Sequence, residues 1–115
     1  MKRALDFLRN HVEIAFATCE GDRPRIRIFQ IMKMEGTTLY FATSPVKEVF
    51  RQLHNNPFVE IMASESKEFV KVSGKANFDV DVETQKWIYE HNPVLPRLYT
   101  SFDKMAYFKV EIEEM

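Results

Sequence analysis

The sequence has 115 residues, enough for one compact core and too few for a core that divides, so we expect a single domain over residues 1–115. Hydrophobic residues make up 45% and charged residues 29% of the chain, which excludes disorder as the default state. The formal net charge of -1 excludes a global field that would attract nucleic acid or an anionic membrane, so any anion site must be local.

In chain order, the first half of the sequence predicts a helix, three strands and a second helix. An amphipathic stretch predicts a short helix over residues 2–10. Alternating residues separated by turn sequences predict strands over residues 12–19, 24–34 and 38–43. Ser44 and Pro45 then suit an N-cap and a first helical position, and they predict a helix that ends near residue 55.

The second half of the sequence predicts further strands and one more helix. The strands are predicted over residues 58–64, 69–78 and 105–112. Gly74, inside one of these strands, predicts a bulge, a barrel corner or a close backbone approach. Residues 82–89 are predicted to form a helix and residues 91–100, which contain two prolines, an irregular connection.

About six strands therefore arrive mostly as sequential hairpins, with two or three short helices beside them. This order predicts a mostly β fold, built as a six-stranded antiparallel barrel with short flanking helices. The ten Phe residues predict either a bulky core or a large apolar interface for it.

The cysteine and histidine residues predict no disulfide and no metal site. Cys19 is a single cysteine, and its alternation with core positions predicts a small buried residue. His11, His54 and His91 lie far apart in the sequence, with no carboxylate or thiol at ligand spacing. We find no apolar run of membrane-spanning length and no signal peptide, so we expect a cytoplasmic protein.

The turn from the third strand into the second helix, at residues 43–47, is the first candidate binding site. A helix N-terminus leaves backbone N–H groups free and attracts anions, and Thr43 and Ser44 would add hydroxyl donors. Lys47 puts a cation where the helix dipole disfavours one, and a bound phosphate would remove that conflict. From these residues alone, an ordinary capped helix with a solvated lysine is the favoured interpretation.

Two arginines on the second strand favour an anion site at this turn over an ordinary capped helix. Arg25 and Arg27 lie on one face of the strand and suit bidentate phosphate binding, although a solvated strand face is the alternative. Phe29 and Ile31 continue the same face, so it becomes apolar partway along. A pocket with a charged mouth and an apolar floor would accept a ligand that carries a phosphate and a flat aromatic body.

Several short motifs, in order along the chain, carry a family resemblance. They are Arg25-Ile26-Arg27-Ile28-Phe29, Leu39-Tyr40-Phe41-Ala42-Thr43-Ser44 with Lys47, Asn56-Pro57-Phe58-Val59-Glu60-Ile61 and Val72-Ser73-Gly74-Lys75-Ala76. With these motifs, from about Leu5 to Ile112, the sequence resembles the pyridoxamine 5'-phosphate oxidase-like superfamily of FMN-binding split barrels. The most similar branch is that of the short general-stress and nitroimidazole-resistance-like members.

The resemblance implies a split β-barrel that forms a homodimer and binds FMN in the clefts between the two subunits. It also implies an oxidoreductase that acts on a small molecule through the flavin. In the sequence itself, no residue stands out as a general acid or base. A non-catalytic flavin-binding or electron-carrier module is one alternative. A relative that binds haem or another cofactor is a further alternative.

The resemblance further implies which residues contact FMN. The phosphate would be held by Arg27, with Arg25 as the competing choice, and by Thr43, Ser44 and Lys47. The isoalloxazine edge would lie along Ile28, Phe29 and Gln30. The full oxidases carry a Ser-Arg-Lys cluster at the phosphate-binding helix, and only Lys47 is present at that place here. Phosphate binding is therefore expected to depend more on the two strand arginines.

Overall fold

The structure, a computed structural model, describes residues 2–114 and consists of one antiparallel sheet with helices beside it. The strands are β1 (Glu13–Glu20), β2 (Arg23–Gln30), β3 (Lys33–Glu35), β4 (Thr38–Thr43), β5 (Phe58–Glu65), β6 (Glu68–Asn77) and β7 (Ala106–Glu114). The helices are α1 (Lys2–Asn10), α2 (Glu48–Asn55), α3 (Val82–His91) and α4 (Val94–Leu98), with a 3-10 turn at Phe102–Lys104. No helix of this part of the chain is long and apolar enough to cross a membrane.

The sheet contains seven strands in the order β2-β1-β5-β6-β7-β4-β3, and all neighbours are antiparallel. The predicted antiparallel, mostly β fold is confirmed, but the predicted number of six strands is wrong. The stretch predicted as one strand, residues 24–34, divides because it changes partners. Ile31 N–H donates to Val12 O (2.8 Å), whereas Met32 N–H donates to Tyr40 O (2.8 Å). The chain therefore leaves β1 after β2 and joins β4 as β3.

The sheet is curled but is not closed by hydrogen bonds. Strands β2 and β3 are its two edges, and only Ile31 and Met32 separate them along the chain. The two edges do not pair within residues 2–114, so the predicted barrel is wrong as a closed structure and the strands form an unclosed sheet. The predicted homodimer stays a prediction.

The main core contains aromatic side chains from three strands. Phe16, Phe41 and Phe108 are fully buried, and their ring centroids lie 5.2, 5.3 and 5.8 Å apart. Edge-to-face and offset contacts of this kind stabilise a core beyond the area that they bury. All ten Phe residues lie in the described part of the chain, and only Phe58 and Phe69 are exposed. The abundance of Phe is therefore explained mainly by the core.

A second, smaller core lies on the other face of β4 and β7. Ile88 of helix α3 and Leu95 of helix α4 pack there against Ala42 and Tyr107. Burial, with smaller charge effects from Tyr89 and Asp103, raises the pKa of Tyr107 to about 12. The helices therefore cover a sheet face that strand alternation alone would leave to solvent.

Helix α4 lies in the segment predicted as an irregular connection, so that prediction is wrong. The prolines do not prevent a helix here because Pro93 occupies the N-cap position and Pro96 lies in the first turn. In a first turn the missing N–H of proline has no intrahelical acceptor to lose. The helix is only five residues long, from Val94 to Leu98.

The predictions for Gly74 and Cys19 have opposite outcomes. Of the alternatives predicted for Gly74, the bulge is confirmed by a shift in the pairing of β6 with β7 between Ser73 and Gly74, and the close backbone approach is confirmed by the space around its Cα atom. A Cβ atom at residue 74 would lie 2.3 Å from the backbone oxygen of Glu111. The predicted burial of Cys19 is wrong, since strand alternation turns Thr18 inward, with 2% exposure, and leaves Cys19 exposed.

Candidate functional site

A cleft of about 520 Å³ lies between strand β2 and the start of helix α2, and we term it the β2–α2 cleft. Its volume is typical of sites for small molecules and cofactors. It brings together six predicted site residues: Arg25, Arg27, Ile28, Phe29, Thr43 and Lys47. Its lining is completed by Ile26, Glu48, Val49 and Gln52.

The other two predicted site residues do not line the cleft. Ser44 is buried beside it, and its hydroxyl oxygen accepts a 3.4 Å hydrogen bond from Val46 N–H. Gln30 is exposed at the end of β2, where it pairs in register with Glu13. Contacts of Ser44 and Gln30 with a ligand therefore stay predictions.

Helix α2 begins at Glu48, so the predicted N-cap at Ser44 and first helical position at Pro45 are wrong. Residues 44–47 form a separate turn, closed by Lys47 N–H donating to Ser44 O (3.0 Å). Proline is favoured at the second position of such a turn, and this preference prevails here. Lys47 is the N-cap residue, and no side chain of the described residues caps the helix. The first backbone N–H groups of α2 therefore remain free for an anion.

Arg27 is fixed in the cleft by three neutral acceptors. Its Nη1 group donates to Phe16 O (3.2 Å) and to Thr18 Oγ1 (2.9 Å). Its Nη2 group donates to Gln52 Oε1 (2.8 Å), which also accepts a 2.7 Å hydrogen bond from Thr18 Oγ1. Thr18 and Gln52 are each only 2% exposed. The guanidinium group is therefore held by a buried network that joins β1, β2 and α2.

Arg25 has a different environment at the rim of the cleft. Its Nη2 atom lies 2.9 Å from a carboxylate oxygen of Glu20, and its Nε donates to the same oxygen at 3.0 Å. The other carboxylate oxygen of Glu20 lies 2.7 Å from Arg51 Nη2. Glu20 thus compensates part of the charge of Arg25, whereas Arg27 forms no ion pair with any carboxylate within residues 2–114.

The electrostatics of the cleft favour an anion. Burial, with a contribution from the neighbouring Arg25, lowers the pKa of Arg27, and Glu48 acts in the opposite direction. An arginine nevertheless stays protonated in a protein. The lowered pKa therefore means that burial makes the charged form of Arg27 less favourable than it is in water. Lys47 adds an exposed ammonium group that has no ion pair among the described residues. Three cations and one carboxylate therefore line the cleft.

The free edge of β2 supplies unpaired backbone groups beside these charges. Ile31 N–H donates to Val12 O, and the bonded pairs of an antiparallel ladder alternate from that point. The backbone N–H and C=O groups of Ile26, Ile28 and Gln30 therefore point away from β1. No other strand of the described chain pairs with this edge.

Phe29 forms the apolar end of the cleft. Its ring lies 5.1 Å from Phe16 and 6.0 Å from Phe41, measured between centroids, so it belongs to the rim of the main core. Arg27 and Phe29 are therefore adjacent on one face of β2, one charged and one aromatic. The cleft thus joins charged residues to one aromatic residue, whereas Ile31, which was predicted to extend the apolar face, is buried in the main core and does not line the cleft.

Two residues of the Arg27 network were not predicted from the sequence. Thr18 was predicted only as part of an alternating strand, and Gln52 was not singled out. A signal was available for Gln52, because it lies three residues after Val49, near the apolar face of helix α2. A polar residue at a buried helix position needs a hydrogen-bond partner, and Arg27 and Thr18 are the partners.

The three histidines lie outside the cleft and apart from one another. His11 contacts Glu65, His54 packs between Phe50 and Phe78, and the ring of His91 stacks on Trp87. Within residues 2–114, no group of three His, Cys, Asp or Glu side chains is arranged to hold a metal ion.

Comparisons with solved structures place the fold among proteins of known architecture. A NimC/NimA family protein from Clostridium acetobutylicum is 32% identical, with a TM-score of 0.81 over 96% of this chain and 78% of that one. An FAD-binding protein from Mesorhizobium loti is 16% identical, with a TM-score of 0.76 over 98% of this chain and 90% of that one. HutZ, a haem storage protein from Vibrio cholerae, is 15% identical, with a TM-score of 0.78 over 99% and 90%.

Sequence comparisons agree with the resemblance that the motifs carry. No curated protein matches the sequence. The sequence model of the pyridoxamine 5'-phosphate oxidase family, however, matches residues 1–115, the whole sequence. The predicted family resemblance is therefore confirmed, and the chain belongs to the pyridoxamine 5'-phosphate oxidase family and is related to the NimC/NimA proteins.

Proposed function

We propose that this chain is an FMN-binding flavoprotein that acts as an oxidoreductase on a small molecule. The observation that carries the proposal is Arg27, a partly buried cation without a carboxylate partner in the described chain, beside an uncapped helix N-terminus. Such a site is suited to a phosphate monoester. The family relationship and the FAD-binding neighbour support a flavin as the group that carries this phosphate.

The residues of the cleft fit a phosphate group. A guanidinium group has five N–H donors, and the neutral acceptors around Arg27 use three of them. The two that remain, on Nε and Nη2, lie on one edge and form the fork that binds two phosphate oxygens. Lys47, the Thr43 hydroxyl and the first N–H groups of α2 would complete the phosphate site.

The ring of FMN would lie along β2. Phe29 supplies an apolar surface, and the free backbone groups of Ile28 and Gln30 would meet the polar edge of the isoalloxazine. When bound, FMN supplies the hydride and electron chemistry. The contribution of this chain is to fix the phosphate, orient the ring and keep water from one of its faces.

We further propose that a second copy of this chain completes the site. Ile28, Ala15 and Met62 lie in one cross-strand row on the outer face of β2, β1 and β5. Ile28 is 64% and Met62 41% exposed, and the neighbouring Ile26 is 71% exposed. This apolar row continues from the open side of the cleft, so a copy seated on it would cover the ring.

The absorption spectrum of the purified protein, with and without added FMN, separates the candidate functions. Flavin bands that bleach when NADH or NADPH is added support a flavin oxidoreductase. Bands that persist support a flavin-binding or electron-carrier module. A Soret band would support haem, as in HutZ. A colourless protein that fails to bind added FMN contradicts all flavin functions.

Substitution of the two proposed phosphate ligands tests the placement of FMN. Loss of two hydrogen bonds to a charged group, at about 1.5 kcal/mol each, predicts that Arg27→Ala weakens FMN binding about 100-fold. The double variant Arg27→Ala with Lys47→Ala should not retain FMN in gel filtration. Arg23→Ala is the matched control, since Arg23 is exposed on β2 and does not line the cleft. Unchanged FMN affinity in the double variant would show that the phosphate lies elsewhere.

A further inference from the structure

Arg27 is held in position by groups that do not compensate its charge. All three of its hydrogen-bond acceptors are neutral: a backbone carbonyl, a hydroxyl and a side-chain amide. Neutral acceptors fix the plane of a guanidinium group, and unlike a carboxylate they leave its unit charge uncompensated. Arg25 is the contrasting case on the same strand face, because it forms an ion pair with Glu20.

Gln52 determines the orientation of this network. A guanidinium group can only donate hydrogen bonds, so the amide oxygen of Gln52 must face Arg27. Thr18 Oγ1 accepts from Arg27 and donates to the same amide oxygen, which leaves its hydroxyl with a defined direction. A buried network in which each member has a partner holds its groups rigidly. Gln52 and Arg27 both line the cleft, although Gln52 is only 2% exposed.

We propose that Gln52 and Thr18 are positioning residues that fix Arg27 without compensating its charge, so that the cleft selects flavins that carry a phosphate. This inference rests on the proposed FMN function and adds to it a specificity determinant. A carboxylate at residue 52 would keep both hydrogen bonds but would pair with Arg27, and the phosphate would then meet a neutralised site. The neutral amide is therefore what makes Arg27 available to an anion.

The variant Gln52→Glu tests the inference because it changes charge and preserves shape. We expect its FMN affinity to fall about tenfold or more, while its riboflavin affinity stays unchanged. Its thermal midpoint should equal or exceed that of the parent chain, since the hydrogen bonds to Arg27 and Thr18 become charge-assisted. Asn55→Asp is the matched control, with the same amide-to-carboxylate change on an exposed residue of helix α2 that does not line the cleft.

A second pair of variants tests the same inference through Thr18. Thr18→Val removes the hydroxyl at nearly constant volume and should lower the ratio of FMN to riboflavin affinity, whereas Thr18→Ser should restore it. Riboflavin lacks the phosphate, so a purely structural role would weaken both flavins equally and leave the ratio unchanged.

The outcomes distinguish the inference from the proposed function. If Arg27→Ala weakens FMN binding while Gln52→Glu and Thr18→Val leave the flavin ratio unchanged, the positioning role is wrong and the proposed function stands. If Arg27→Ala leaves FMN binding unchanged, the proposed phosphate site and the inference are both overturned. A Gln52→Glu variant that does not fold leaves the Thr18 pair to decide between these results.

Discussion

At the scale of single residues, the two arginines of strand β2 differ in their hydrogen-bond partners, and therefore in how far their positive charge is compensated. Arg25 and Arg27 share a strand face and a side-chain type. Arg25 is tied to Glu20, which also contacts Arg51, whereas Arg27 is held by neutral groups. The sequence left both as candidates for the phosphate, and the geometry favours Arg27.

Arg25→Ala is expected to weaken FMN binding only a few-fold, compared with about 100-fold for Arg27→Ala, because Glu20 already compensates part of the charge of Arg25. Isothermal titration with FMN at one fixed salt concentration measures both effects. Equal losses in the two variants would contradict the assignment. Arg23→Ala again serves as the control on the same strand.

At the scale of elements, His11, directly after helix α1, makes a titratable contact with the β5–β6 hairpin. His11 Nδ1 lies 2.8 Å from Phe7 O, and Nε2 contacts the carboxylate of Glu65. Both ring nitrogens therefore face acceptors, which favours the doubly protonated imidazolium. The Phe7 carbonyl first, and then Glu65, raise the pKa of His11 above its usual 6.5.

This contact predicts a pH-dependent stability. A raised folded-state pKa means that the contribution of His11 is complete below its unfolded pKa, about 6.5, and is lost as pH rises through the folded pKa. We expect the melting temperature of the parent chain to exceed that of Glu65→Gln near pH 5.5, and the gap to close by about pH 9. A gap that is constant or grows with pH would contradict this assignment. NMR titration of the His11 ring measures the pKa directly.

The β6–β7 bulge at Gly74 predicts a second stability effect at the scale of elements. A Cβ atom there would lie 2.3 Å from Glu111 O and 2.7 Å from a Val110 methyl group, so backbone must move. Overpacking of this kind typically costs about 1–3 kcal/mol, which is our expectation for Gly74→Ala in urea unfolding. Lys71→Ala, an exposed change on the same strand, should stay within about 0.5 kcal/mol. A Gly74→Ala variant as stable as the parent would show that the bulge can relax.

At the scale of the whole molecule, the unclosed sheet exposes the edge of strand β2 and an apolar row beside it. Strand β2 has a free edge, and Ile28, Ala15 and Met62 form the row beside it. Exposed edges and contiguous apolar surface are features that proteins usually cover. Both lie at the open side of the β2–α2 cleft, which is why we propose that a second copy covers them.

The variant Met62→Glu tests this arrangement, because Met62 lies on the row and does not line the cleft. A buried, unpaired carboxylate disfavours an interface, so we expect the variant to elute as a monomer and to bind FMN more weakly. Light scattering coupled to gel filtration measures the mass. Ser64→Glu, an exposed change on the same strand β5, is the control. A monomeric parent chain, or a dimeric Met62→Glu variant, would contradict the proposed interface.

The sequence by itself determined the type and approximate place of most elements, and the family. Period-2 alternation, helical spacing and turn residues are local properties, and the bounds predicted for α1 and β4 agree with the structure. A bulge at Gly74 was among the predicted alternatives, because glycine inside a strand marks a bulge, a corner or a close backbone approach.

Only the tertiary structure decided the features that depend on partners distant in sequence. Residues 24–34 divide into β2 and β3 because the first part pairs with β1 and the last part with β4. No local sequence pattern shows this change of partner. The arginines differ because Glu20, Thr18 and Gln52 meet them from other elements. Side-chain charge is encoded locally, but its compensation is a property of the folded chain.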